Sequence, residues 1–91
     1  MNPEKPLDDA LLWQYLLGEA IPADEQERIE GAYFVDTAFL EHLLALEDEL
    51  IDAYLRRTLS AGQKTRFERH FLASDRRRQR FEAQRAPYLL Y

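Results

Sequence analysis

No cysteine occurs anywhere in these 91 residues, so disulfides and thiolate metal sites are excluded and the redox compartment cannot be read from the chain. Glycine is scarce at 3 and proline at 4, too few for a linker-rich or low-complexity protein. Apolar runs of about 18 residues are absent, so nothing in the sequence is expected to span a membrane. The opening MNPEKPLDDA offers no apolar stretch for a signal peptide, which leaves the cytoplasm as the expected location. A membrane anchor following Tyr91 in a longer parent protein stays compatible with this reading. Also missing are a Gly-rich phosphate loop, a Ser-His-Asp set in suggestive context and a His-Glu-x-x-His pair, so no enzyme, small-molecule substrate or cofactor is expected.

What is present is a soluble-protein composition. Hydrophobic residues make up 46% and charged residues 32%, which argues against disorder and for a folded chain. The length suits one small domain spanning 1–91, which buries only about 60–65% of its unfolded surface and so needs a dense core.

Basic residues are nearly missing from the first half. Up to Asp52 there are 14 acids against Lys5 and Arg28, a net −12. From Ala53 onward 10 Lys or Arg stand against 3 acids, a net +7, and the two halves give the overall −5. Such polarity fits a basic face for an acidic partner. Attraction between the halves, or plain solvation, is the commoner cause. Arg76, Arg77, Arg78, Arg80 and Arg85 crowd one segment, as phosphate contacts would require. Helical spacing spreads Arg76 to Arg78 around the axis, and the acidic chain repels a duplex, so nucleic acid is not the expected partner. The acidic cluster Glu47-Asp48-Glu49-Asp52 lacks the glycine-bearing loop of a calcium hand and reads as a solvated helix face, with Glu49 or Asp52 able to pair with Arg56.

Apolar residues recur at helical spacing throughout, and no alternating strand pattern stands out. Asp8 or Asp9 can cap a first helix running to about Gly18. Pro22 fits the first position of a second helix, with Ile29, Tyr33 and Phe34 on its inner side. Asp36 caps a long third helix from about Thr37 to Thr58. Ser60 and Gln63 form a capping box for a fourth, with Phe67, Phe71 and Leu72 inward, and Ser74 caps a fifth that Pro87 ends. The expected fold is all-α, with about five helices.

Residues 12–43 and 51–81 read as two copies of one unit. Ile29, Glu30, Tyr33, Phe34 and Leu43 fall opposite Phe67, Glu68, Phe71, Leu72 and Phe81 at a constant offset of 38 (67 minus 29). Upstream, Tyr15-Leu16 and Tyr54-Leu55 match at 39. Such a period marks a repeated supersecondary element that cannot bury its apolar face alone. The copies are expected to form two overlapping three-helix units sharing the long central helix.

The second copy resembles the zinc-binding cytoplasmic anti-sigma domain of bacteria, whose members show a Tyr-Leu-x-Gly-x-Leu-Ser turn, a Glu-rich helix and His-x3-Cys-x2-Cys. Tyr54-Leu55, Leu59-Ser60 and Phe67-Glu68 match, and His70 stands at the family's histidine. Ser74 and Arg77 replace the two cysteines. In the first copy, Tyr15-Leu16-Leu17-Gly18-Glu19 gives the better turn, and Ala32, Asp36 and Phe39 occupy the metal positions. The resemblance implies an all-α domain that holds a sigma factor and blocks its access to RNA polymerase. Structural zinc can contribute on the order of 10 kcal/mol to folding. Here the capping residues Asp36 and Ser74, each worth about 1 kcal/mol, and burial of Phe39, worth roughly 2–3 kcal/mol, are expected to hold that corner without metal. His70 alone is not expected to bind one.

Trp13, off the main apolar stripe, and the tail Tyr88, Leu89, Leu90 and Tyr91 are the candidate partner-binding residues, because exposed aromatics are frequent interface anchors. The partner is expected to be a sigma factor or another protein. The alternative is a generic interaction module that homodimerises through the third helix and the tail.

Overall fold

The computed structural model describes residues 7–87. Among them are five α-helices and no strand, as the periodicity predicts: α1 (Asp9–Leu16), α2 (Ala23–Val35), α3 (Thr37–Leu55), α4 (Ala61–Arg69) and α5 (Asp75–Arg85), with a 3₁₀ turn (Phe71–Ala73) between the last two.

Local chemistry sets most of the boundaries. Asp8 caps α1, its Oδ1 accepting from the Leu11 amide at 2.8 Å. Asp36 joins two helices by itself. Its extended backbone ends α2, and its carboxylate accepts from the Phe39 amide at 3.1 Å to start α3. Ser60 and Gln63 close a reciprocal capping box on α4, with bonds of 3.1 and 3.0 Å. Ser74 caps α5 through a longer contact of 3.4 Å to the Arg77 amide. Pro22 lies one residue before its expected place, at the N-cap of α2, where it supplies no side-chain bond.

α1 and α3 end in the same way. Gly18 (φ +71°) and Arg57 (φ +62°) are both left-handed. The Gly18 and Glu19 amides donate to the Tyr15 and Gln14 carbonyls, and the Arg57 and Thr58 amides to those of Tyr54 and Ala53. This is the paired-bond helix stop named after Schellman. It ends α3 three residues before the Thr58 expected from periodicity. α4 also stops early, at Arg69, and the tighter 3₁₀ turn aims Phe71 inward.

The core draws on every helix. Leu12, Leu16 and Leu17 come from α1 and its stop, Ile29 from α2, Leu43, Leu46, Leu50 and Ile51 from α3, Phe67 from α4, Phe71 from the 3₁₀ turn and Phe81 from α5. Helix α3 packs against α1, α2 and α5, as a shared central helix should. Phe67 is the centre of a ring cluster. It stacks on Tyr54 at 4.4 Å and on Phe71 at 4.7 Å, and meets Phe81 edge-on at 5.8 Å. Full burial of such a ring contributes up to about 3 kcal/mol, and each aromatic pair about 0.5–1.5 kcal/mol more. Phe39 is only half-buried against this core, so its contribution falls below that of a fully buried ring.

Matched positions of the two segments are alike at their ends. Ile29 and Phe67 are both buried, as are Leu43 and Phe81. Asp36 and Ser74 are both N-caps. The copies diverge at Tyr33, which is 41% exposed where its counterpart Phe71 is fully buried. α2 continues unbroken through Val35, whereas the second copy breaks after Arg69.

Candidate protein-docking groove

The continuation of α2 produces the largest apolar exposure among the described residues. Phe34 is 83% and Val35 85% exposed, beside the partly exposed Tyr33. The inner side of α2 is set by Ile29. At about 100° per residue, Tyr33 stays near that side, Phe34 turns roughly 140° away and Val35 roughly 120° the other way. The expected inward positions of Tyr33 and Phe34 are therefore corrected: Phe34 lies across the helix from Ile29, and Tyr33, although near that side, is 41% exposed. Tyr33 and Phe34 instead meet edge-to-face at 5.6 Å, forming an aromatic ridge.

Behind the ridge lies a groove of about 440 Å³. Tyr33 and Phe34 form its α2 wall with Glu30, while Leu43 and Leu44 of α3 and Tyr15 of α1 line the hollow. Glu47, Arg76 and Arg77 complete the lining. Burial, reinforced by the negative charge of Glu30, raises the Tyr15 phenol above its ordinary pKa, with Arg77 acting in the opposite sense. Tyr15 thus keeps its phenol proton as part of the groove wall.

The charged lining overturns the reading of a solvated face for Glu47 and, in part, Asp48, while Glu49 is exposed as expected. Glu47 is 1% exposed. Arg76 donates to it in bidentate fashion at 3.1 and 2.8 Å, and Arg77 adds its Nε at 3.0 Å. A buried carboxylate is tolerable only when paired and hydrogen-bonded in this way. The hydrogen bond to Glu47 raises the Arg76 guanidinium further above its ordinary value. Arg77 also lies over the Phe71 ring, 4.9 Å from its centre. Next along α3, Asp48 accepts from Arg80 and, at 2.7 Å, from Gln84. The opposite charges of the two halves are thus partly spent on clamping α5 to α3. Asp52 pairs with Arg56 at 3.0 Å, the expected four-residue spacing. Arg78 and Arg85 pair within α5 with Asp75 and Glu82, so each of the five arginines that phosphate binding would use already meets a carboxylate.

The other candidate residues fall elsewhere. Trp13, expected as exposed apolar surface, is half-buried against the core beside Leu17 and Gln63, away from the ridge. Tyr88, Leu89, Leu90 and Tyr91 lie outside the described residues. His70 packs over Gly18, where an added Cβ would come within 2.5 Å of its ring. Arg66 reinforces that approach by donating to the Gly18 carbonyl at 3.2 Å. The histidine thus joins the second copy to the turn of the first. Among the described residues, no three His, Asp or Glu side chains gather as a metal site would require, and no helix is long and apolar enough to cross a membrane.

No protein-family model, curated protein or solved structure matches this chain.

Proposed function

We propose that this chain is a protein-binding regulator of transcription that sequesters a sigma factor, working in the cytoplasm by occlusion and without chemistry of its own. The observation that carries the binding reading is the Tyr33-Phe34-Val35 ridge beside an apolar groove. A contiguous exposed patch of this kind marks an interaction site, and aromatic side chains there dominate binding energy. The resemblance of the Tyr15–Glu19 turn and of the 54–70 segment to anti-sigma domains directs the choice of partner. The partner's helical surface would cover the ridge, and its promoter-binding regions would then be closed to RNA polymerase. Release would come from a further domain or protein.

Affinity capture from the native cytoplasm with the tagged chain tests this reading, with a Phe34→Ser variant alongside. A sigma factor recovered by the wild type and lost with Phe34→Ser is the expected result. Capture without any sigma factor overturns the choice of partner, and equal recovery by the variant overturns the choice of face.

A further inference from the structure

The groove holds both members of each contact it can make. The Phe34 ridge projects next to the hollow lined by Leu43, Leu44 and Tyr15, so a knob and a hole share one face. The charges are arranged in the same way. Glu30, exposed on α2, supplies a negative charge to one wall. On the α5 side two guanidiniums share the single carboxylate of Glu47, leaving one positive charge in excess, and the Arg76 side chain is 46% exposed. A twofold rotation about an axis through this face can set each such element against its complement, because an isologous interface pairs residue i with j and j with i.

We infer that a second copy of this chain covers the groove. In that homodimer the Phe34 ring of each copy enters the hollow of the other, and Glu30 of each faces Arg76 of the other. Tyr33, Phe34 and Val35 together expose on the order of 400 Å² of side chain, given the area of an aromatic residue. A standard interface buries about 800 Å² per partner. The ridge supplies about half of this, which fits a weak, reversible dimer. The inference does not rest on the sigma-factor reading. It uses the same face, so self-association and capture of another protein exclude each other.

Analytical ultracentrifugation of the full chain across about 1–100 μM, bracketing a micromolar Kd, tests the inference. The wild type is expected to shift from monomer to dimer within that range. Phe34→Asp should remain monomeric throughout with an unchanged far-ultraviolet circular dichroism spectrum, since Phe34 is exposed and its loss leaves the core intact. Glu30→Arg should move the midpoint upward about tenfold or more, as a like-charge pair replaces an opposite one. A wild type that stays monomeric at every concentration overturns the proposal. So does a Phe34→Asp protein that dimerises as the wild type does, or a Glu30→Arg midpoint that does not move.

Discussion

Arg57→Gly should stabilise this protein, and Gly18→Ala should destabilise it, although both act on the same kind of helix stop. Arg57 holds φ +62° at the position after α3 that Gly18 fills at φ +71° after α1. A side chain in the left-handed region costs about 1–2 kcal/mol, and glycine removes that cost while adding about 0.5–1 kcal/mol of chain entropy to be lost on folding. The net gain for Arg57→Gly is about 0.5–1 kcal/mol. In a domain of this size that raises Tm by about 2–8 °C. Gly18→Ala runs the balance the other way for about 1 kcal/mol, and it adds a steric term, since the new Cβ would lie 2.5 Å from the His70 ring. Crowding of this kind costs about 1–3 kcal/mol where neighbours cannot yield. His70 is exposed, so the lower part of that range applies. A double-mutant cycle with His70→Ala isolates the term: Gly18→Ala should cost less by about 1 kcal/mol when the ring is absent. The assay is thermal and urea unfolding at one fixed protein concentration, because self-association would otherwise move Tm. An Arg57→Gly protein no more stable than wild type refutes the backbone argument. A Gly18→Ala cost that is the same with and without His70 refutes the close approach.

Three further substitutions probe the clamp, the caps and the tyrosine pair. Glu47→Ala leaves Arg76 and Arg77 facing each other without their shared carboxylate, so urea unfolding should show a loss near the low end of the range of about 3–5 kcal/mol for a broken buried pair, since the Arg76 side chain is 46% exposed; Glu47→Gln, which keeps an acceptor, should lose less. Ser60→Ala should cost more than Ser74→Ala within the usual range of about 0.5–2 kcal/mol, because Ser60 holds a reciprocal box at 3.1 Å and Ser74 a single bond at 3.4 Å; equal losses would count against ranking caps by geometry. Tyr54 donates to Glu68 at 2.7 Å, and that bond, followed by burial and the Glu68 charge, raises its pKa. The folded state therefore keeps the phenol proton at pH values where the unfolded chain has lost it. The resulting stability is complete below the ordinary tyrosine pKa of about 10 and is lost as pH rises through the folded value. Melting curves from pH 8 to 11 should fall above about pH 10, with a shallower fall for Tyr54→Phe; an unchanged slope would show that this pair does not contribute.

Much of the fold was legible because its determinants act within a few residues. Asp8, Asp36, Ser60 and Ser74 each bond an amide three positions on, so their roles can be read from short segments. The burial of Glu47 could not be read that way. Its partners lie 29 and 30 residues downstream, and within its own helix the Glu47-Asp48-Glu49 run looks like any solvated face. Nor does local sequence place the ridge. The repeat pairs Tyr33 with Phe71 and predicts the same fate for both. They part where His70 stands opposite Ala32: His70 ends α4 as its C-cap with its ring over Gly18, while α2 passes through Ala32 unbroken. Even so, the consecutive run Tyr33-Phe34-Val35 held a usable signal, since a helix reaching Val35 cannot bury all three.

The same divergence accounts for the open face. In the second copy, Phe67, Phe71 and Phe81 fill the interior with Tyr54 in one ring cluster. In the first copy those places belong to Ile29, Tyr33 and Leu43, beside Tyr15. Two phenylalanines are replaced by smaller aliphatic side chains, and the third ring stands at the rim. The smaller side chains stand beside the groove that Leu43, Tyr15 and Tyr33 line. The second segment thus gathers its rings inside the core, while the first leaves a groove open. An aromatic side chain from another molecule, a second copy or a regulated partner, would complete in the first unit the packing that Phe71 completes in the second.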